Sequence, residues 1–268
     1  MANGTKNLAL FCDFENIALG VRDANYARFE IQEVLERLLV KGNIVVKKAY
    51  CDWDRYKGFK ASMHEASFEL IEIPHVRQSG KNSADIRMVV DALDLCYTKA
   101  HVDTFVIISG DSDFSPLVSK LRENNKIVIG VGVKNSTSDL LIANCDEFIY
   151  YDDLIRVAER RKPKSKKTTS RKESEERPAT KNQEARADKA IEQVLETIDD
   201  LFSERGEEEK LWGSMVKQAL KRRKPGFNES YHGFRSFGQL LEEMQTRGML
   251  TLELDKKSGG YIITSVPE

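Results

Sequence analysis

Thr104-Phe105-Val106-Ile107-Ile108-Ser109-Gly110-Asp111-Ser112-Asp113-Phe114 is the stretch on which the fold turns. Phe105 to Ile108 is an unbroken apolar run rich in β-branched side chains, the pattern of a strand covered on both faces. The run stops at Ser109-Gly110, and two aspartates follow, separated by one serine. Pro116 suits the first turn of a helix that would bury Leu117, Val118 and Leu121. Asp111 and Asp113 therefore fall just beyond the carboxyl end of a central parallel strand, where open α/β sheets bind ligands. The plainer alternative is a turn in which both aspartates merely cap the next helix.

On the N-terminal side, Leu8 to Asp13 reads as a first strand with Asp13 at its end and Asn16 three positions on. Ile31, Val34, Leu35, Leu38 and Leu39 repeat at helical spacing before Gly42. Ile44 to Cys51 and Phe68 to Ile73 read as strands, with Phe59 to Ser67 contributing a helix between them. After the polar loop Gln78 to Ser83, Asp85 opens a helix whose apolar positions are Ile86, Val89, Val90 and Leu93. Beyond the central stretch come a strand over Ile127 to Val133, a short helix at Ser138 to Ala143, a strand at Phe148 to Tyr150 and a closing helix. Strands alternating with helices predict an α/β fold with a parallel sheet flanked by helices.

The 268 residues carry a formal net charge of −1, with 40% hydrophobic and 32% charged side chains. That balance supports real cores, and the near-zero charge averages over unlike parts. No apolar run approaches membrane-spanning length, and Leu8 to Cys12 is too short for a signal-peptide core. Cys12, Cys51, Cys96 and Cys145 are scattered through apolar segments without zinc-ligand spacing, which predicts buried free thiols and a cytoplasmic protein. Residues 1–158 form the first expected domain. Residues 159–184, with the basic tract Arg160 to Lys167, read as a flexible linker, either a solvated spacer or a weak phosphate-binding arm. Residues 185–268 form a second domain of three helices and a two-stranded hairpin, a small winged helix by its element order.

Asp13, Asp111 and Asp113 follow strand ends and Asp85 opens a helix, so one sheet edge can gather all four. Two carboxylates about 4 Å apart repel by roughly 4 kcal/mol at an effective dielectric near 20. Several in one cleft call for protonation or a cation. Oxygen-only ligands point to Mg²⁺ or Mn²⁺, which can orient a water, lower its pKa and stabilise charge on a phosphodiester.

Three ordered motifs carry a family resemblance. Asp13-x-x-Asn16, Lys81-Asn82-x-Ala84-Asp85 leading into Met88-Val89-Val90-Asp91-Ala92-Leu93, and Ser109-Gly110-Asp111-Ser112-Asp113-Phe114 together resemble the NYN family, in its bacterial LabA-like branch with a PIN-like fold. The resemblance implies a metal-dependent ribonuclease. On it, Asp13, Asp85 and Asp111 hold the ion, and Asp113 binds a second ion or positions the attacking water. Asn16 matches an amide near the metal, Ser109 is a candidate contact to a ligand carboxylate or a substrate phosphate, and Lys81 is a candidate phosphate contact. Many members have Gly where this chain has Asn82. Asp91 lies six residues past Asp85 and shares its helix face poorly, which leaves it in a supporting or structural role.

A second resemblance covers about 185–264. Leu211 to Phe227, with Lys221-Arg222-Arg223-Lys224-Pro225-Gly226-Phe227, followed by Tyr231-His232-Gly233-Phe234-Arg235-Ser236-Phe237, looks like an OST-HTH or LOTUS domain. It implies a winged helix that binds RNA, with protein partners as the other family role. Lys221 to Lys224 and Arg235 are the candidate RNA contacts. Phe227, Phe234 and Phe237 read as core, against a stacking role for unpaired bases. The expected function is an endoribonuclease with a tethered RNA-binding domain, with a homo-oligomer open. A non-catalytic RNA-binding adaptor with a metal-binding acidic pocket is the alternative, and DNA remains open as a substrate. A HAD-like phosphatase fits poorly, because its nucleophilic Asp needs a second Asp two residues on, and position 15 is Glu.

Overall fold

The structure, a computed structural model, describes residues 6–73, 83–161, 179–205, 210–255 and 258–265. The chain divides into two compact units, Met1–Lys162 and Pro163–Glu268.

The first unit runs β1 (Asn7–Asp13), α1 (Phe14–Asp23), α2 (Ile31–Leu39), β2 (Asn43–Cys51), α3 (Lys57–Glu65) and β3 (Glu69–Glu72). It continues with α4 (Ser83–Thr98), β4 (Thr104–Ile108), a 3-10 turn at Ser112–Phe114 and α5 (Ser115–Glu123). Last come β5 (Ile127–Gly132), α6 (Asp139–Asn144), β6 (Glu147–Tyr150) and α7 (Tyr151–Arg161). The sheet order is β3-β2-β1-β4-β5-β6, with every neighbouring pair parallel. The chain builds outward from β1 to one side and then restarts at β4 on the other. The crevice at the carboxyl ends of β1 and β4 is thus the topological switch point.

Alternation along the strands feeds two cores. Leu8, Leu10, Cys12, Val106 and Ile108 face the core shared with α1 and α2. Ala9, Phe11, Phe105 and Ile107 face the core under α4, α5 and α6. β4 is buried at all five positions, which explains its lack of polar alternation. The four cysteines are buried and free.

α1, which the sequence reading did not assign, follows β1 directly: Phe14, Ile17 and Val21 bury one face after Asp13 caps the helix. In α4 the buried residues are Met88, Ala92 and Cys96, whereas Ile86 and Val90 are exposed. Both stripes are apolar, and packing against β1 and β2 selected the one with smaller residues. Leu39, at the end of α2, is also exposed.

The second unit contains α8 (Ala179–Arg205), β7 (Leu211–Trp212), α9 (Gly213–Arg223), α10 (Phe237–Thr246), β8 (Thr251–Leu254) and β9 (Tyr261–Ser265). Its sheet has three antiparallel strands in the order β7-β9-β8, one more than the expected hairpin. Trp212 ends a strand, and α9 opens at the next residue, Gly213. α7 and α8 also carry helix to Arg161 and from Ala179, inside the stretch expected to be a linker; 162–178 lies outside the described residues. Ala190, Val194, Val216, Leu220, Leu240, Leu241 and Met244 form this unit's core, and Phe227, Phe234 and Phe237 join it. Among the described residues no helix is long and apolar enough to cross a membrane.

Candidate active site

Register decides which side chains meet. Cys12 of β1 pairs with Ile108 of β4, so Asp13 and Ser109, the next residues, emerge side by side at the carboxyl edge. Strand alternation decides the face: Asp13 keeps phase with Ala9 and Phe11, and Ser109 with Phe105 and Ile107. All four of those residues lie under α4 and α5. α4 begins over that same face with Asp85 in its first turn.

Hydrogen bonds join the strand ends. Ser109 Oγ donates to Asp13 Oδ2 at 3.0 Å and accepts from the Asp111 backbone N–H at 3.2 Å. Asp13 Oδ1 accepts from the Asn16 N–H at 3.3 Å, and Asn16 Oδ1 accepts from the Gly110 N–H at 2.8 Å. Asp111 Oδ1 accepts from the Asp113 N–H at 3.0 Å. The capping alternative holds for Asp111, whose side chain caps the 3-10 turn, and Asp13 caps α1 in the same way. Asp13 and Asp111 each spend one oxygen on a local cap, and a carboxylate has acceptor capacity to spare. Asn16 acts as a clamp between α1 and the β4 loop.

Buried phenylalanines hold the acids in place. Phe14, directly after Asp13, packs its ring 4.9 Å from Trp53 and 5.1 Å from Phe59. Phe114, directly after Asp113, is buried in the opposite core. Each contributes about 2–3 kcal/mol of burial. Gly110 is required by close approach: a Cβ there would lie 2.4 Å from the Ser136 carbonyl oxygen and 3.0 Å from Thr137 Cα. The Ser138 N–H donates to the Gly110 carbonyl at 2.9 Å. The loop after β5 thus packs against the Gly110 turn, a contact that sequence reasoning missed.

The electrostatics are those of crowded acids. Asp13 is 7% exposed. Burial pushes its pKa up to about 7, helped by the charges of Asp85 and Asp111 and opposed by the bonds from Asn16 and Ser109. Asp85 is pushed up to about 6, first by burial and then by Asp111, Asp113 and Glu15. Asp13 thus feels the charges of Asp85 and Asp111, and Asp85 those of Asp111 and Asp113. Asp113 is exposed and Asp111 half-buried. Among the described residues none of the four forms an ion pair with a lysine or arginine.

All four offer oxygen donors and none is neutralised by a described cation, so the residues fit a hard divalent ion such as Mg²⁺ or Mn²⁺. Among the described residues no three acids already close into a ready-made cage. Two carboxylates about 4 Å apart would repel by about 4 kcal/mol at an effective dielectric near 20, a cost that a bound cation would offset.

Other candidates are placed differently. Lys81 and Asn82 lie outside the described residues. Asp91 is structural: it accepts from Tyr50 Oη at 2.9 Å, Arg87 Nε at 3.1 Å and Lys48 Nζ at 3.3 Å. Glu15 joins the rim, its charge acting on Asp85 and its Oε1 paired with Arg55 Nη1 at 3.0 Å. Its position two residues after Asp13, in the first turn of α1, was the available signal. In the second unit Arg222, Lys224 and Arg235 are exposed and Lys221 is half-buried. Arg223 is held by Glu196 and Asp200 of α8. Phe227, Phe234 and Phe237 are buried and offer no stacking face.

With this geometry in view, the comparisons are consistent. The NYN domain pattern matches residues 7–153. An uncharacterized protein of Methanocaldococcus jannaschii is 26% identical over 164 residues, covering 61% of this chain and 63% of the other. Meiosis regulator and mRNA stability factor 1 of Xenopus tropicalis is 26% identical over 148 residues, covering 55% of this chain. The chain spans 63% and 9% of the lengths of these two curated relatives. A crystal structure of a protein of unknown function from Vibrio parahaemolyticus superposes with a TM-score of 0.51 at 26% identity, covering 57% of this chain and 98% of the other.

Proposed function

The chain belongs to the NYN domain family over residues 7–153, and from that premise we propose that it is a metal-dependent endoribonuclease. The observation that carries the reading is the joining of Asp13 and Asp111 through the single hydroxyl of Ser109. A nuclease domain of this family supports phosphodiester hydrolysis, and a relative described as an mRNA stability factor supports RNA as the substrate.

Asp13, Asp85 and Asp111 would hold a Mg²⁺ or Mn²⁺ ion, which when bound supplies charge stabilisation on the phosphate and a more acidic water. Asp113, the most exposed of the four, orients the attacking water or takes part in a second ion site. Ser109 and Asn16 fix the carboxylates by the bonds described above. Water adds to phosphorus and the 3′ oxygen leaves with a proton, giving 5′-phosphate and 3′-hydroxyl ends, as a PIN-like mechanism implies. The helices α8, α9 and α10 with their three-stranded sheet support a LOTUS-like winged helix, and Lys221, Arg222, Lys224 and Arg235 are its candidate RNA contacts.

Purified protein incubated with end-labelled single-stranded RNA and Mn²⁺ tests the reading. Cleavage that is lost in Asp111→Asn and in excess chelator supports it. Cleavage equal in wild type and Asp111→Asn identifies a contaminant and removes the proposal. A second reading, an RNA-binding adaptor without turnover, is favoured by the open arrangement of the acids. It predicts metal binding and RNA binding with no cleavage in the same assay.

A further inference from the structure

The exposed stripe of α8 has a composition unlike the basic end of α9. Asp188, Ile191, Glu192, Leu195, Glu196 and Asp199 follow one another at helical spacing and, with Met249, line a groove of about 470 Å³. Ile191 is buried beneath it, while Leu195 and Met249 are half-buried and form its apolar floor. The rim is acidic. Asp188 is engaged by Arg247 at 2.7 Å, which also binds Glu243, and Glu196 is engaged by Arg223 at 3.0 Å, which also binds Asp200. Two arginines thus face six carboxylates. Glu192 and Asp199 have no ion-pair partner among the described residues.

A polyanion is repelled by such a rim, so the groove is not an extension of a nucleic-acid surface. A half-buried aliphatic floor between unpaired acids instead matches a cationic segment with an apolar anchor. We propose that the α8 groove docks a basic peptide segment of a partner protein, with an aliphatic side chain on Leu195 and Met249 and two cations on Glu192 and Asp199. Those two acids are seven residues apart on one helix, about 10 Å at 1.5 Å per residue. A peptide in the polyproline II conformation, with about three residues per turn, puts basic residues three positions apart on one face and spans about 9 Å at about 3.1 Å per residue. The inference is independent of the chemistry at Asp13.

The test uses the full chain and a fluorescein-labelled synthetic peptide of repeating arginine-leucine-alanine units, read by fluorescence anisotropy. The double variant Glu192→Gln/Asp199→Asn is expected to weaken binding at least tenfold with an unchanged unfolding midpoint. Replacing leucine by glycine in the peptide is expected to weaken it at least fivefold. Equal affinity for the double variant, or for the glycine peptide, overturns the proposal. So does displacement of the peptide by a single-stranded oligouridylate, which would make the face an RNA surface. Tenfold tighter binding after neutralising the tract Arg160 to Lys167 would also overturn it, since the occupant would then be the chain's own basic segment.

Discussion

Asp13 is where burial and charge conflict most directly. Its folded pKa of about 7 lies above its ordinary value of 3.8. Between those values the folded chain holds a proton that the unfolded chain has released, so stability falls as pH rises from about 4 to about 7. Without divalent ions, the protein is expected to unfold at lower temperature at pH 8 than at pH 5. Asp13→Asn, which keeps the shape and removes the charge, should stabilise it at pH 8 by up to about 4 kcal/mol while abolishing Mn²⁺-dependent cleavage. Thermal unfolding across pH, in wild type and variant, checks the sign. A variant less stable than wild type at pH 8 would show that the bonds from Ser109 and Asn16 outweigh the repulsion. Added Mn²⁺ should raise the wild-type midpoint, since a ligand at a hundred times its Kd contributes about 2.7 kcal/mol, and should leave Asp13→Asn unmoved.

At the scale of elements, the site depends on how closely the loops after β4 and β5 approach. Gly110→Ala places a methyl 2.4 Å from the Ser136 carbonyl oxygen, a backbone atom that cannot rotate away. Displacing that loop pulls on the Ser138–Gly110 bond and on the Asn16 clamp. Gly110→Ala is therefore expected to cost about 1–3 kcal/mol and to lower cleavage at least tenfold. Gly58→Ala in α3, where a Cβ meets nothing within 4 Å, should be neutral or stabilise by a few tenths of a kcal/mol. Circular dichroism melts and cleavage rates measured side by side compare the two. Asn16→Ala is expected to behave like a mild Gly110→Ala, because it releases the Gly110 N–H without adding bulk.

Across the whole molecule, each unit has its own core. Residues 1–162 produced alone should unfold cooperatively and retain Mn²⁺-dependent cleavage, with KM for RNA raised and kcat little changed. Combined replacement of Lys221, Arg222 and Lys224 by glutamine in the full chain should weaken RNA binding and lower the salt-dependence slope by about 2–3. Arg223→Gln is expected to act through stability instead, since Arg223 is committed to Glu196 and Asp200. An unaltered salt slope in the triple variant would show that this helix end does not touch phosphates.

Local pattern alone determined that strands alternate with helices, that β4 lies at the centre, and that Asp13, Asp85, Asp111 and Asp113 stand at element ends. Period-2 and period-3.6 spacing, caps and breakers act between near neighbours, so they are readable in the chain. The burial of Phe227, Phe234 and Phe237 was legible for the same reason. Other features were decided only by the tertiary structure. Apolar Ile86 and Val90 lost to Met88, Ala92 and Cys96 for the inner face of α4, because the room above β1 and β2 chose between two similar stripes. Two-residue β7 exists only because β9 pairs with it. The binding of Ser109 to Asp13 and of Asn16 to Gly110 joins residues 96 and 94 positions apart. No local rule reaches that far; the parallel register of β1 and β4 does, and it is what brings Asp13 and the Ser109–Asp111 turn to one edge.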